Sequence, residues 1–156
     1  MKMNYEILLQ SANELFKTEP TQLSLLSNAS AFIYENIPNL NWSGFYLFDG
    51  HQLTLGPFQG RVACNVIAPG KGVCGTALVT KQVQVVDDVN AIDNHIACDG
   101  NSQSEVVIPI IHNHEVYGVL DVDAPILARF DQALVSFLRE YVAILSKYID
   151  FSRKLV

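Results

Sequence analysis

The sequence predicts an α+β domain built on an antiparallel sheet, and three observations carry this prediction. Apolar residues recur at helical spacing near both ends of the chain, and the periodicity changes to two in the middle. A strong hairpin signal, Asp49-Gly50, separates two of the middle segments. Hairpins flanked by helices are typical of the α+β class. At 156 residues the chain has the size of one domain, and we expect a single domain over residues 1–156.

Two amphipathic helices are expected before the first strand. They cover residues 4–17 and 21–36, where apolar side chains share one helical face. Thr21 is the expected N-cap of the second helix, because its hydroxyl can accept a hydrogen bond from a free amide of the first turn. Pro38 is expected to end that helix, since proline cannot continue one.

The middle of the chain is expected to form six strands and one short helix. Asp49-Gly50 favours a type I′ turn between the first two strands. The short helix follows a Pro-Gly-Lys-Gly turn at residues 69–72. The strands are predicted at residues 42–48, 52–58, 61–68, 83–86, 105–111 and 115–123, and the short helix at residues 73–80.

A long polar loop over residues 87–104 separates the fourth and fifth predicted strands and contains Cys98. A loop of that length inside a compact domain usually has a function. The last helix follows the sheet, and Asp131 is its expected N-cap. Its apolar stripe extends from Leu134 to Tyr148.

Composition excludes several classes of protein. Apolar residues make up 49% of the chain and charged residues 17%, so a substantial core is expected. The net charge is −6 and the basic residues are scattered, which argues against a nucleic-acid partner. No apolar run reaches the roughly eighteen residues of a membrane span. The start of the sequence lacks the apolar region of a signal peptide, so we expect a cytoplasmic protein whose thiols stay reduced at rest.

The three cysteines point to redox chemistry or metal binding. Cys64, Cys74 and Cys98 each lie in or beside a predicted loop, where cytosolic proteins rarely keep cysteine for packing. Cys74 is expected in the first turn of the short helix, where helix amides and Lys71 favour its thiolate. His95 precedes Cys98 by three residues and can deprotonate that thiol if the loop folds back.

Plainer interpretations remain open for two of these residues. Cys64 falls within the third predicted strand and can be an ordinary buried thiol. His95 can be an ordinary loop histidine. Three cysteines and a histidine also satisfy the ligand count of structural zinc. The spacing lacks the usual Cys-x-x-Cys pairs, however, so no metal site is predicted.

Two aromatic residues on one strand can form one wall of a pocket. Trp42, Gly44 and Tyr46 share a strand face, and Gly44 leaves a gap between the two rings. An apolar wall with a polar rim suits a small ligand. The alternative is an ordinary aromatic core around a bulge.

Three acidic residues are expected to converge in the last hairpin. Asp121 and Asp123 share one face at the end of an apolar strand, and Glu105 opens the partner strand. If they are buried together, at least one pKa should rise. Such a group can bind an ammonium ion, and a carboxyl that keeps its proton can donate a hydrogen bond to a substrate oxygen. The alternative is that these acidic residues lie at a solvated strand end and bind nothing.

Four segments together resemble the free methionine-R-sulfoxide reductases, a family of small stand-alone GAF domains. The resemblance extends over nearly the whole chain, and the three-cysteine spacing is its specific part. It implies a GAF-like sheet of about six strands, with the terminal helices on one side and a short helix and loops on the other. The four segments are residues 41–46, 70–75, 95–99 and 120–123.

The resemblance also implies a mechanism. Cys98 would attack the sulfur of free methionine-(R)-sulfoxide and become a sulfenic acid. Cys64 or Cys74 would then form a disulfide with it, and the order of those two residues stays open. Thioredoxin would reduce that disulfide as the external reductant, with no bound cofactor.

The implied substrate pocket agrees with the two clusters described above. Trp42 and Tyr46 match the aromatic wall that receives the methyl-sulfoxide end of the substrate. Glu105, Asp121 and Asp123 match the acidic group that holds the substrate, and their individual roles stay open. A free amino acid carries an ammonium group that peptide-bound methionine lacks, so buried carboxylates select the free form.

The alternative function is a GAF module that senses a small molecule without chemistry. Such a module is expected beside an output domain, whereas only the C-terminal helix follows the sheet here, so we expect the enzyme. Apolar residues on the second and last helices predict a homodimer.

Overall fold

The structure is a computed structural model that describes residues 3–156. Its described part contains six strands in one antiparallel sheet, in the order β3-β2-β1-β6-β5-β4, which confirms the α+β prediction. The helices are α1 (Tyr5–Lys17), α2 (Gln22–Asn36), α3 (Gly72–Thr80) and α4 (Gln132–Ser146), and the strands are β1 (Trp42–Phe48), β2 (Leu53–Gly60), β3 (Val66–Ile67), β4 (Gln84–Val86), β5 (Ser104–His112) and β6 (Glu115–Ala124).

The two faces of the sheet carry different layers, as expected. Helices α1, α2 and α4 cover one face and form the larger core with alternate residues of the central strands, such as Phe45, Leu120 and Val122. Helix α3 covers the other face, and its buried residues form a second core with Trp42 and Tyr46 of β1. Since successive strand residues point to opposite faces, the same strands supply both cores. The second face carries the cysteines.

The helix termini follow the expected capping chemistry. The Thr21 side chain accepts a hydrogen bond from the amide of Ser24, and the Asp131 side chain accepts one from the amide of Leu134. Both hydrogen bonds satisfy amides that have no partner inside the helix. Helix α2 ends at Asn36, two residues before Pro38.

The first hairpin is present, but its predicted type I′ turn is wrong. The φ angle of Gly50 is +100°, whereas neither Asp49 nor His51 has a positive φ. A type I′ turn requires positive φ at both central residues. Instead, Asp49 Oδ1 accepts hydrogen bonds from the amides of His51 and Gln52, both at 2.8 Å. The β5–β6 hairpin has positive φ at Asn113 and His114, the pattern that a type I′ turn needs.

The prediction of a third strand at residues 61–68 is wrong over most of that range. Residues 61–65 are irregular, and β3 contains only Val66 and Ile67. The cause is competition for backbone groups, because side chains of β1 hydrogen-bond to this segment. Trp42 Nε1 donates to the carbonyl of Arg61 at 3.2 Å, and Tyr46 Oη donates to the carbonyl of Cys64 at 2.9 Å.

The predicted loop over residues 87–104 is partly ordered by a short 3₁₀ helix at Val89–Ala91. The amide of Val89 donates to the carbonyl of Gln103 at 2.9 Å, which closes the base of the loop. None of the helices within residues 3–156 has the length and hydrophobicity of a membrane span.

Candidate active site

A narrow cavity of about 40 Å³ lies on the α3 face of the sheet. It has room for a few water molecules. Of the eight residues predicted for the site, all but Cys64 line the cavity, and Cys64 is bonded to one that does. The seven lining residues are Trp42, Tyr46, Cys74, Cys98, Glu105, Asp121 and Asp123.

Cys64 and Cys98 form a disulfide, with their Cα atoms 5.3 Å apart. The bond joins the irregular segment before β3 to the long loop before β5, across 34 residues of sequence. The sequence predicted that Cys64 lies in a strand, and this prediction is wrong. The hydrogen bond from Tyr46 to the Cys64 carbonyl fixes its backbone at the cavity edge. The structure thus brings these two thiols together and leaves Cys74 out of the bond.

Cys74 lies in the first turn of α3, as predicted, but its environment is the opposite of the expected one. The side chain is buried, and its sulfur lies within 4.8 Å of carboxylate oxygens of Glu105 and Asp121. Burial, followed by the negative charges of the neighbouring carboxylates, raises the pKa of this thiol well above its usual value. Both effects disfavour a thiolate. The prediction that helix amides and Lys71 favour a Cys74 thiolate is wrong.

Two aromatic rings form one wall of the cavity. Trp42 and Tyr46 are each 2% exposed, and their rings stack with centroids 5.7 Å apart. Burial and the charge of Asp121 raise the pKa of the Tyr46 hydroxyl, which therefore stays protonated and serves as a donor. The bulge of the alternative interpretation is present, because the register of β2 against β1 shifts between Gly44 and Tyr46.

The gap at Gly44 does not form part of the cavity, contrary to the sequence interpretation. A Cβ atom at this position would lie 2.3 Å from Cβ of Phe58 on β2. The Phe58 ring also stacks on Trp42, with centroids 5.1 Å apart. The glycine therefore allows the two strands to pack closely and lets Phe58 support the aromatic wall.

The three acidic residues converge, as predicted. Glu105 on β5 is the direct cross-strand partner of Asp123 on β6, and Asp123 is the partner of Trp42 on β1. Directly paired residues point to the same face of a sheet, so these three side chains form one row. Asp121 lies two residues before Asp123 and shares that face. All three carboxyl groups are buried, with Asp123 the most exposed at 8%.

Burial raises the pKa of all three carboxyl groups. For Glu105 and Asp123 the rise is large, because the charge of Asp121 adds to the cost of burial. Hydrogen bonds from Glu105 and Cys74 partly offset the rise at Asp121. Among the described residues, Asp121 Oδ1 is buried without a hydrogen-bond partner. The cluster therefore keeps its protons to a higher pH than exposed carboxyl groups do, and the rise in pKa is weakest at Asp121.

His95 lies at the other side of this cluster. Its Nε2 is 3.8 Å from Oε1 of Glu105, and the side chain is largely buried. Burial lowers the pKa of His95, which keeps the imidazole neutral at pH 7. The structure thus brings His95 to the carboxylates through the folded-back loop.

Sequence reasoning missed the residues that fix the loop around Cys98. Asn41 Nδ2 donates to Asp99 Oδ2 and to Ser102 Oγ, each at 3.0 Å. Gly72 has a φ of +62°, and a Cβ there would lie 3.2 Å from the Ile96 side chain. The only sequence signal for these contacts was that Asp99 adjoins Cys98 and that Gly72 ends the Gly-Lys-Gly turn.

Three side chains have the geometry to hold a metal ion. The Cys74 sulfur and one oxygen each from Glu105 and Asp121 lie within 4.8 Å of one another. This set differs from the three cysteines and histidine that the sequence offered, because Cys64 and Cys98 are joined to each other. The raised pKa values favour protonated groups over metal ligands here. The absence of a metal stays a prediction.

Comparisons with known proteins identify the class to which this fold and site belong. The family model for the GAF domain matches residues 26–150. The free methionine-R-sulfoxide reductase (fRMsr) of Escherichia coli is 44% identical over 145 residues, which is 93% of this chain and 88% of that protein.

Solved structures give the same result. The fRMsr of Staphylococcus aureus in its reduced form superposes with a TM-score of 0.90 at 46% identity, over 94% of this chain and 96% of that one. The free methionine-R-sulfoxide reductase of Neisseria meningitidis, in complex with its substrate, has a TM-score of 0.92 at 36% identity, over 100% and 96% of the two chains. The fold and the redox site therefore define a GAF-domain oxidoreductase. Within that class, the chain belongs to the free methionine-R-sulfoxide reductase family.

Proposed function

We propose that the reduced protein converts free methionine-(R)-sulfoxide to methionine, with Cys98 as the nucleophile. One observation carries the proposal: Cys98 lines a cavity of buried carboxyl groups and aromatic rings, and it is bonded to a second cysteine. The disulfide is the product that such a reaction leaves on the protein. The substrate follows from the family, whose Neisseria meningitidis member is known in complex with its substrate.

The reaction balances in two steps. The Cys98 sulfur bonds to the sulfoxide sulfur, and a carboxyl group gives a proton to the sulfoxide oxygen. The resulting hydroxyl group then passes to the Cys98 sulfur as the bond between the two sulfurs breaks. Methionine leaves reduced by two electrons, and Cys98 becomes a sulfenic acid that carries the oxygen. Cys64 then attacks the Cys98 sulfur, the two residues form a disulfide, and the oxygen leaves as water. We assign Cys64 as the resolving residue because it is the partner in the disulfide.

The carboxyl groups of the cluster have different roles in this proposal: one is ionised and binds the substrate, and another is protonated and donates its proton. Asp121 is the carboxylate that holds the substrate ammonium, since its pKa is raised least strongly and its Oδ1 has no hydrogen-bond partner in the described chain. Glu105 keeps its proton at neutral pH and is the donor to the sulfoxide oxygen. Asp123 completes the acidic wall. Trp42 and Tyr46 receive the methyl-sulfoxide end of the substrate.

Substrate binds the reduced form under this proposal. The cavity of the disulfide form has room for only a few water molecules. Once the bond between Cys64 and Cys98 is broken, the loop that carries Cys98 is no longer tied to the segment before β3 and can move outward.

The electrons for the next cycle come from thioredoxin, with no bound cofactor. Thioredoxin exchanges its dithiol for the protein disulfide, which restores both cysteines. The cytoplasm is the compartment that keeps such a system reduced, so we propose a cytoplasmic enzyme.

A single-turnover experiment tests the function. Reduced protein is mixed with one equivalent of free L-methionine-(R)-sulfoxide, without thioredoxin, and released methionine is measured. The wild type is expected to release about one equivalent, the Cys98→Ser variant none, and the matched Cys74→Ser variant about as much as the wild type. The S epimer and peptide-bound methionine sulfoxide are the substrate controls, each expected to give none. Methionine release by Cys98→Ser would reject Cys98 as the nucleophile.

We also propose a homodimer in which α2 contributes to the contact. Leu23 and Tyr34 are 58% and 40% exposed and lie eleven residues apart, which places them on one helical face. The large apolar residues of α4 are buried or half-buried, so the last helix does not offer the exposed surface that the sequence suggested. Light scattering at micromolar concentration is expected to give twice the chain mass, and Leu23→Asp is expected to lower it. A wild-type monomer contradicts the proposal.

A further inference from the structure

Cys98 lies between two hollows of the protein. On its inner side is the substrate cavity described above. On its outer side is an open cleft of about 640 Å³, which we name the outer cleft. Cys98 and Asp99 line both hollows, whereas Cys64 lines neither. The residues of the outer cleft are Gly60, Arg61, Val62, Cys98, Asp99 and Gly100.

The two sulfurs of the disulfide have different surroundings. Cys64 packs against the apolar cluster beneath α3, and its carbonyl is held by Tyr46. Cys98 forms part of the wall of the outer cleft. Both cysteines are half-buried, but only Cys98 lines the outer cleft, so a macromolecule that docks on this cleft meets Cys98.

The rim of the outer cleft carries an exposed apolar side chain and an exposed cation. Val62 is 89% exposed, the most exposed of the large apolar residues described. The Arg61 side chain is 70% exposed, with Nη1 3.9 Å from Asp99 Oδ1. The Asp99 side chain is only 7% exposed and accepts a hydrogen bond from Asn41, so its charge is turned away from solvent. The surface thus offers an apolar contact and a positive charge next to a reducible bond.

We propose that a thioredoxin-type dithiol protein docks on the outer cleft and attacks the Cys98 sulfur, with Cys64 as the leaving group. The incoming nucleophile is a thiolate, and the Arg61 cation favours its approach. Val62 supplies the apolar contact beside the attacking sulfur. This inference rests on the proposed function, because only an enzyme that accumulates the disulfide needs the reductant.

The exchange balances in two steps. The thiolate of the dithiol protein bonds to the Cys98 sulfur, the bond between Cys64 and Cys98 breaks, and Cys64 leaves as a thiolate that takes up a proton. The second thiol of the dithiol protein then attacks its own first sulfur, which releases Cys98 as the thiolate. The dithiol protein is oxidised by two electrons and the protein disulfide is reduced by two. The reductant never enters the substrate cavity.

Trapping the intermediate tests which sulfur is attacked. Thioredoxin with a serine in place of its second cysteine is mixed with the disulfide form, and the reaction is quenched in acid within seconds and digested without reductant. Mass spectrometry is expected to find thioredoxin bonded to the Cys98 peptide. Thioredoxin bonded to the Cys64 peptide, or no mixed disulfide at all, would overturn the inference.

Two variants with a matched control test the docking surface. Val62→Asp and Arg61→Glu are each expected to slow reduction by thioredoxin about five- to tenfold, because they add negative charge beside an incoming thiolate. Val79→Asp is the control, since Val79 is 55% exposed on α3 and lines neither hollow. Reduction by dithiothreitol is expected to slow less than reduction by thioredoxin in Val62→Asp and Arg61→Glu, because the small reductant meets the same added charge but makes no contact with the rest of the cleft rim.

The outcomes separate the inference from the proposed function. If Val62→Asp and Arg61→Glu are reduced by thioredoxin as fast as Val79→Asp, the outer cleft is not the docking surface. Methionine release by the reduced protein in a single turnover is expected to be unchanged in Val62→Asp. Loss of that release in the wild type would reject the function itself, whatever the result with thioredoxin.

Discussion

Glu105 on β5 and Asp123 on β6 are direct cross-strand partners, and both carboxyl groups are buried against the same cavity. Two adjacent carboxylates in an apolar environment cannot both stay ionised at ordinary pH, so the pKa of each is raised well above its usual value. This arrangement costs stability at neutral pH. Under the proposed function, the cluster is retained because it holds the substrate and gives a proton to it.

The free energy of unfolding of the disulfide form should fall as the pH rises above the ordinary pKa of carboxyl groups, about 4, toward the raised pKa values of the folded cluster. In this range the unfolded chain has lost the protons of Glu105 and Asp123, whereas the folded chain keeps them until the raised pKa values are passed, so stability is lost as the pH rises. Burial lowers the pKa of His95, and its opposite contribution is confined to pH values below the ordinary pKa of histidine. Urea unfolding at several pH values measures the slope. Glu105→Gln should flatten it, and the exposed control Glu115→Gln should not. Equal slopes in both variants contradict the assignment.

Substitutions in the carboxyl cluster should separate proton donation from binding. Glu105→Gln removes the proposed proton donor and is expected to lower kcat by about tenfold or more. Asp123→Asn keeps the size of the side chain but weakens the acidic wall, so it is expected mainly to raise KM. Steady-state kinetics with thioredoxin recycling measure both. An unchanged kcat/KM in Asp123→Asn would remove Asp123 from the substrate site.

The two cysteines that accompany Cys98 should behave differently. Cys64→Ser is expected to release methionine once and then hold Cys98 as a sulfenic acid, which a dimedone adduct detects by mass spectrometry. Cys74→Ser is expected to release methionine and form the disulfide, because the pairing of Cys64 with Cys98 is intact. Disulfide formation in Cys64→Ser, with Cys74 as the partner, would show that the buried thiol can resolve the sulfenic acid.

Gly44→Ala should destabilise the domain by about 1–3 kcal/mol, the usual cost of overpacking. The added Cβ would lie 2.3 Å from Cβ of Phe58 and 2.8 Å from its Cα, so β1 and β2 would have to separate. Gly100→Ala is the matched control, because a Cβ there has no heavy atom within 4 Å. Thermal unfolding compares the two variants. Equal stability of the two variants would show that β2 can move away from β1 without a loss of free energy of unfolding.

Local chemistry explains why much of the fold was predictable from the sequence. Thr21 and Asp131 cap the helices that they were expected to cap, because capping involves residues three positions apart. The convergence of Glu105, Asp121 and Asp123 followed from the alternation of side chains in one hairpin. Each of these inferences depends only on neighbours in sequence or on a single strand pairing.

The features that failed depend on contacts between distant segments. The irregular backbone at residues 61–65 is set by hydrogen bonds from Trp42 and Tyr46, about eighteen residues away. The space beside Gly44 is filled by Phe58, which the pattern of β1 alone does not reveal. The pKa of Cys74 depends on which face of α3 turns toward the carboxyl groups. The partner of Cys98 in the disulfide also depends on tertiary packing, which is why the sequence left Cys64 and Cys74 as alternatives.

In the proposed mechanism, Cys98 removes the oxygen and Cys64 captures the oxidised sulfur. Peptide mapping by mass spectrometry tests this mechanism, after the reduced wild type has reacted with one equivalent of free methionine-(R)-sulfoxide and then with an alkylating agent. We expect a Cys64–Cys98 disulfide and an alkylated Cys74, with one methionine formed per chain. Three alkylated cysteines with the sulfoxide unchanged, or a disulfide that lacks Cys98, would contradict it.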